Sequence, residues 1–311
     1  MYRKLLNKTI LLLVFMMLSL SGCSYNISIE SRDSLTGEDY PEAGKYQTGS
    51  FSYNADEVKA IEVYWRSGEI TLTESENSQL QVRESGTDLP ENVAMHYFLD
   101  HGTLKIRFCA SGAKIQVDTL DKQLFLEIPE GIDLSLHTTS APIKAVTLTQ
   151  KNLLIAALSG STELGSVTAE SIDLSSSSGS VCADSISAQT LTCSATSGSL
   201  EFGAVSADQL DCNTSSGFVS MGSVTSKTLG ITTTSGNVEL FLTSPFTATI
   251  CTTSGSVDTT LANGGAEVLY TSNGGNLLTD RSYQTKGDLY VLGNGESTLT
   301  VETSSGDLTI H

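Results

Sequence analysis

A period of 19 residues runs through the second half of this chain. Ser140, Ser159, Ser178, Ser197, Ser216, Ser235, Ser254 and Asn273 follow one another at that spacing. The next residue is glycine in every case but the first, where Ala141 stands. Self-similarity at a fixed short period marks a stacked repeat, in which one unit cannot bury its apolar face alone and the stack is the cooperative object.

The apolar residues keep the same period. Val181, Leu200, Val219, Val238 and Val257 form one column, and Leu164, Ala183, Phe202, Met221 and Leu240 form the next. Val167, Ile186, Val205 and Val224 follow, then Ala169, Ala188 and Ala207, then Ile172, Leu191, Leu210 and Leu229. The last column reads Leu174, Cys193, Cys212, Ile231, Ile250, Leu269. Within a turn the inward positions are therefore spaced 2, 3, 2, 3, 2. A step of two is a strand showing alternate side chains to one face, and a step of three turns a corner. The spacing predicts an all-β fold: a single-stranded parallel β-helix, right-handed, with 19-residue turns. The Ser-Gly pairs are expected at a further corner, with glycine supplying a positive φ. Helices are excluded by the Ser/Thr/Val/Gly content and the lack of an i, i+3, i+4 pattern. A leucine-rich repeat would need a Leu-x-x-Leu-x-Leu frame, which is absent.

The address is written in the first 23 residues. Arg3, Lys4 and Lys8 precede an unbroken apolar run from Ile10 to Leu18, too short to span a bilayer as a helix. Leu20-Ser21-Gly22-Cys23 follows and resembles the lipobox of bacterial lipoproteins. That resemblance implies diacylglyceryl transfer to the Cys23 sulfur and cleavage before it, hence a lipid anchor on the extracytoplasmic side of the membrane. The net charge is −18, and losing the leader takes it to −21. Such a surface repels polyanions and argues against nucleic acid as a partner. The five other cysteines, Cys109, Cys182, Cys193, Cys212 and Cys251, are odd in number and lack a tight pair. They fit neither a disulfide framework nor a zinc site and read as packed thiols.

Boundaries follow from these patterns: a signal peptide over 1–22, an anchor and flexible tether over 23–55, irregular coils over 56–139 and regular coils over 140–311. Ile61, Val63 and Trp65 alternate before Ser67-Gly68, as do Leu104, Ile106 and Phe108, and Leu124, Leu126 and Ile128 before Pro129. Residues 88–100, with Pro90, read as an irregular excursion. Ser67-Gly68-Glu69-Ile70-Thr71-Leu72, then Leu104-Lys105-Ile106, Ile128-Pro129 and the run of Thr-Ser-Gly-Ser-Val units resemble a bacterial family of putative adhesins. These are β-strand-repeat domains of unknown function. The resemblance covers residues 56–311 and implies adhesion at a cell surface. Ser140-Ala141-Pro142 departs from the family's Ser-Gly corner.

No HExxH, GxSxG, Walker A or GxGxxG string occurs. His96 and His101, near Asp100, are five apart and read as loop histidines. Glu163, Glu201, Glu239 and Asp258 share an outward column, the first three about 9.6 Å apart as alternate rungs. Cys182 and Ser220 fill the rungs between, and the column reads as a solvated stripe. Thr196, Ser215, Thr234 and Thr253 form another outward column beside the corners. No catalytic, metal or cofactor-binding residue is assigned; the one site residue is Cys23, for lipidation.

The reading is a non-catalytic surface lipoprotein, an adhesin-like scaffold whose ligand is a protein or cell-wall glycan. The alternative is an envelope-stress or structural accessory protein that docks a membrane partner through an open C-terminal end. A polysaccharide-active enzyme is the remote third. Leu299, Val301, Leu308 and Ile310 keep the strand signature to His311, so these residues are expected to form an uncapped edge that invites pairing or self-association.

Overall fold

The computed structural model describes residues 38–311 apart from 87–88, 116–119, 121, 244 and 263. Cys23 and the leader lie outside the described residues. Among the described residues no helix is long and apolar enough to cross a membrane.

The strands are, in order, β1 (Gln47–Thr48), β2 (Phe51–Asn54), β3 (Ala60–Trp65), β4 (Ile70–Glu74), β5 (Gln79–Ser85), β6 (His96–Asp100), β7 (Thr103–Arg107) and β8 (Gln123–Ile128). Then come β9 (Asp133–Thr138), β10 (Ile143–Thr149), β11 (Asn152–Ala157), β12 (Thr162–Ser176), β13 (Val181–Ala195), β14 (Leu200–Thr214) and β15 (Val219–Thr233). The last are β16 (Val238–Leu242), β17 (Thr247–Thr252), β18 (Val257–Leu261), β19 (Ala266–Ser272), β20 (Leu277–Thr279), β21 (Tyr283–Lys286), β22 (Leu289–Leu292), β23 (Ser297–Thr303) and β24 (Leu308–Ile310).

β12 to β15 are each one continuous 15-residue ribbon wound once round the axis. They pair in parallel at an offset of 19 residues, Thr162 on Val181 on Leu200 on Val219. In β14 the buried residues are Leu200, Phe202, Val205, Ala207, Leu210, Cys212 and Thr214, the spacing read from the sequence with Thr214 added. One apolar cluster fills the coil from end to end.

The corner glycines correct one expectation. None of Gly160, Gly179, Gly198, Gly217, Gly236, Gly255 and Gly306 has a positive φ. Their reason is proximity: a Cβ on each would lie 1.9–2.1 Å from the carbonyl oxygen of the corner residue one coil below. At the first of these corners stands Ala141, level with Gly68 of the neighbouring coil through the Ile143–Ile70 register. The inward threonine three residues earlier completes the corner. Gly217, Gly236, Gly255 and Gly306 donate their N–H to the Oγ1 of Thr214, Thr233, Thr252 and Thr303 at 2.8–3.0 Å. A backbone donor that would otherwise be buried unpaired is thereby satisfied.

Neither end follows chain order. At the first, β3 pairs in parallel with β9 on one side and β7 on the other, and β4 lies between β10 and β8. The outer coil, β7 and β8, is covered by antiparallel β6 and β5, and these by β1 and β2. Residues 47–54, expected within a flexible tether, are thus paired strands that cover the free edges of β5 and β6. Phe51 stacks on Tyr97 at 3.7 Å between ring centres. The excursion expected over 88–100 ends in regular β6.

At the other end the same device recurs. β23 pairs in parallel with both β17 and β19, and β24 lies between β18 and β20. The terminal strands therefore have a neighbour on each side, and the uncapped edge expected at 299–310 does not exist there. β22 and then β21 close the stack beyond β19, antiparallel. The inserted coil also shifts the frame. Ser305-Gly306, not Asn273-Gly274, stacks on the 254–255 corner, and Gly275 lies over Gly306. Through β23, Val268 stands over Leu299 and Ala248, an offset of 20 residues. Val268 is buried and Leu269 faces out, reversing the expected last rung of the Ile250 column. A one-residue slip flips every side chain of a strand. The 19-residue frame would have turned Glu267 and Asn276 inward.

One wall holds fifteen strands, from β1 through β6, β7, β3, β9, β11 to β15, β17, β23, β19 and β22 to β21. At ~4.8 Å per strand the rod is about 65–70 Å long.

Candidate functional site

The outward acidic and threonine columns fall where the period put them. Glu163, Cys182, Glu201, Ser220, Glu239 and Asp258 occupy successive rungs of one wall. The four acids are exposed. The stripe ends on Lys144, paired with Glu69 at 2.8 Å, and on His311, 3.5 Å from Asp258. Burial, then Glu201 and Glu163, push the Cys182 thiol above its usual range, away from reactivity. Cys193 and Cys212 are buried register partners, both free thiols. Thr196, Ser215, Thr234 and Thr253 are exposed. His96 and His101 are not brought together. His96 opens β6, with Nδ1 on the Ala94 carbonyl, and His101 lies in the following turn against Asp100 at 2.6 Å. Lys105, then His101, hold the Asp100 carboxyl below its ordinary range. Among the described residues no group of three His, Cys, Asp or Glu could hold a metal ion.

The feature that sequence reasoning missed is a face of aromatic and cationic side chains on the first wall of the rod. It is assembled from five segments. Outward positions of β6, β7, β3 and β9 place Arg107 beside Tyr64 and Tyr64 beside His137, on adjacent rungs. The segment before β1 lays Tyr40 and Tyr46 across them. Tyr40 is pinned by its hydroxyl to the Cys109 carbonyl and by its N–H to Ser111 Oγ, both at 3.0 Å.

Arg107 is the centre of this face. Its guanidinium carbon lies 4.2 Å from the Tyr64 ring centre and 5.8 Å from that of Tyr40. Tyr40 meets Tyr46 at 4.6 Å and Tyr46 meets Phe98 at 5.5 Å. Lys45 and Lys105 lie over Phe98 at 5.5 and 5.9 Å. Lys45 and Lys105 are each paired with a carboxylate, Glu42 and Asp100. Among the described residues Arg107 has no ion pair. Burial pushes the Tyr40 hydroxyl up to about 12 and raises those of Tyr46 and Tyr64, so the phenols stay neutral at any physiological pH. Neutral phenols, ring faces and a guanidinium with no ion pair among the described residues thus meet on one face of the sheet. A signal was present: nine of the chain's aromatic residues fall between Tyr40 and Phe108.

His137 closes the face. It stacks on Tyr64 at 4.6 Å and 16°, with Nε2 3.0 Å from Ser135 Oγ. Burial, which outweighs Glu62, lowers its pKa below the usual 6.5. The unfolded chain then takes up a proton before the folded one does. The contribution of neutral His137 to stability is complete above pH 6.5 and is lost as the pH falls through that value towards the lowered one. Urea midpoints at pH 7.5 and 5 are expected to differ more in the wild type than in His137→Phe. Equal differences would show that the ring does not report on this face.

Comparison with known proteins places the fold. No curated protein matches the chain. A crystal structure from Parabacteroides distasonis, described as a putative lipid binding protein, is similar with a TM-score of 0.52 and 15% identity. The match covers 86% of this chain and 98% of that one. A putative adhesin from Parabacteroides merdae matches with a TM-score of 0.42 and 15% identity over 70% of this chain and 96% of its own. Another from Bacteroides fragilis gives 0.43 and 11% over 85% and 97%. The Toastrack DUF4097 family model matches residues 58–311, which hold every coil from β3 onward. With its strand repeats and the family match coinciding over that span, the chain belongs to the Toastrack DUF4097 family.

Proposed function

We propose that this chain is a lipid-anchored, non-catalytic, adhesin-like scaffold of the cell envelope that holds a protein partner on the Arg107 face. The observation that carries the reading is the cluster of Tyr40, Tyr46, Tyr64 and Phe98 round an arginine that has no ion pair among the described residues. Tyrosine and arginine are the residue types that dominate binding energy at interfaces, and here the sheet beneath holds them in place. The lipobox at Leu20–Cys23 supports the envelope address.

The same face bears on the accessory-protein reading. Fourteen residues lie between Cys23 and Glu38, a reach of at most about 50 Å. An anchor at Cys23 would tether the rod by the end that carries the Arg107 face.

The test is recovery of partners from intact envelopes with the mature chain and with Arg107→Ala and Tyr64→Ala. A protein captured by the wild type and reduced about tenfold or more by either variant supports the reading, since interface anchors are worth ~2 kcal/mol each. Capture unchanged by both variants would refute the face as the site. Binding to purified cell-wall glycan with the same dependence would replace the protein partner by a glycan. Radiolabelled palmitate incorporated by the wild type and not by Cys23→Ser would support the anchor.

A further inference from the structure

The Arg107 face is built partly from a segment outside the family match. Glu38–Thr48 precedes the matched span, which begins at residue 58. None of its residues is buried, and only Tyr40 and Tyr46 are half-buried. It is also the first part of the rod that a tether from Cys23 would reach.

Its attachments to the rod are few. The Glu38 carbonyl accepts from the Gly112 N–H at 3.3 Å. Tyr40 adds its bonds to Cys109 and Ser111, and its ring meets Arg107. Tyr46 and Lys45 rest on the Phe98 ring. β1 is only two residues long and pairs with β6, where Gln47 Oε1 accepts from the Tyr97 hydroxyl at 3.1 Å. The ion pair of Lys45 with Glu42 is internal to the segment and holds it to nothing else.

The segment ends at an open joint. Gly49 follows β1 at a φ of 100°, and no atom lies within 4 Å of the place a Cβ would take. The chain can turn there without moving a neighbour. Beyond the joint, β2 is held by four register pairs with β5 and by the Phe51–Tyr97 stack. Segments with few buried apolar contacts and exposed hydrogen bonds open at a lower free energy than the core they lie on.

We propose that Glu38–Thr48 is a releasable strap that lifts from the rod as one unit about Gly49, and that its docking completes the Arg107 face. Lifting removes Tyr40 and Tyr46 and leaves Arg107 with the Tyr64 ring alone. Tension on an anchor at Cys23 acts on Glu38 first and favours the lifted state, an order–disorder switch of one segment. The switch rests on the reading of this face as the partner site and of Cys23 as the anchor; the lifting does not.

Hydrogen exchange of the mature chain in detergent, read by mass spectrometry on peptides, tests the lifting with no partner present. Amides over 38–48 and at Gly112 are expected to exchange at least about a hundredfold faster than those of β7. Tyr40→Ala should speed exchange at Gly112 and at β1 together, about tenfold or more, and leave β2 and β7 unchanged. Pulling single molecules between the lipid and the C-terminus should give one step of about 35 Å before any coil unfolds, at a lower force in Tyr40→Ala. Protection over 38–48 equal to that of β7 would overturn the proposal, as would a Tyr40→Ala effect confined to Gly112 or the absence of the step. Either failure would leave the partner site standing, with its face permanently complete. Capture unchanged by Arg107→Ala would instead remove the partner site and leave the strap.

Discussion

Replacing Gly217 with alanine is expected to destabilise the rod by about 3 kcal/mol or more, although the change adds a single methyl group at a corner. The new Cβ would sit 1.9 Å from the Gly198 carbonyl oxygen and 3.0 Å from Thr214 Oγ1. A backbone oxygen in a stacked ladder cannot swing aside as the end of a side chain can. Two coils would have to separate by more than an ångström, and the separation would break the parallel pairing of β13 with β14 before the corner and of β14 with β15 after it. Gly236 stands in the same relation to the Gly217 carbonyl oxygen, at 2.0 Å, so the strain passes up the stack. Ser216→Ala, one residue away and exposed, should change stability by less than ~0.5 kcal/mol. Urea unfolding of the two variants decides the point. Similar midpoints would mean that the corner can relax and that close approach is not why glycine recurs there.

A comparable loss is expected from Lys122→Met, about 3–5 kcal/mol. Lys122 is wholly buried at the first end of the rod, an unusual place for an ammonium group. Its three protons are all used. Nζ lies 2.6 Å from Glu84 Oε1, and it donates to the Val93 carbonyl at 2.5 Å and to that of Phe108. The rings of Phe108 and Trp65 lie 4.3 and 4.9 Å from it. Burial pulls its pKa down, and Glu84 opposes that pull. The arrangement ties β5, the turn before β6 and the end of β7 to the residue that precedes β8. Removing the ammonium leaves the Glu84 carboxylate buried with the Met95 N–H as its remaining donor, at 2.8 Å. The double change Lys122→Met with Glu84→Gln should recover part of the loss, because the stranded charge is gone. It should not recover all of it, since the Val93 and Phe108 carbonyls stay without their donor, at ~1–3 kcal/mol each. A double variant no more stable than the single one would show that the carboxylate is not the source of the cost.

Both predictions concern features whose cause is invisible along the chain. Glycine at 217 was legible as a repeat, but the reason for it, a carbonyl oxygen one coil below, belongs to a residue 19 positions away. Lys122 shows no pattern at all in sequence. The Arg107 face is gathered from Tyr40, Tyr46, Tyr64, Phe98 and His137 across nearly one hundred residues, and only strand pairing makes them neighbours. Its weak trace was an excess of aromatic residues in that stretch.

What the sequence by itself determined is the coil. A polar–apolar alternation broken every fifth residue forces a strand that turns, and a repeat of 19 forces each turn to present the same ladder to the next. That much follows from local geometry, and β12 to β15 match it rung for rung. The order of the coils at either end was decided only in the tertiary structure. An inward pattern such as Leu299, Val301, Leu308, Ile310 fits any neighbouring coil with a similar pattern, because parallel ladders join backbones that are alike. Chain order therefore does not dictate stacking order. β3 lies inside β7, and β23 inside β19, and antiparallel strands then cover β7, β8 and β19. The inserted coil then set a 20-residue offset at β19, where the alternative would have buried Glu267 and Asn276.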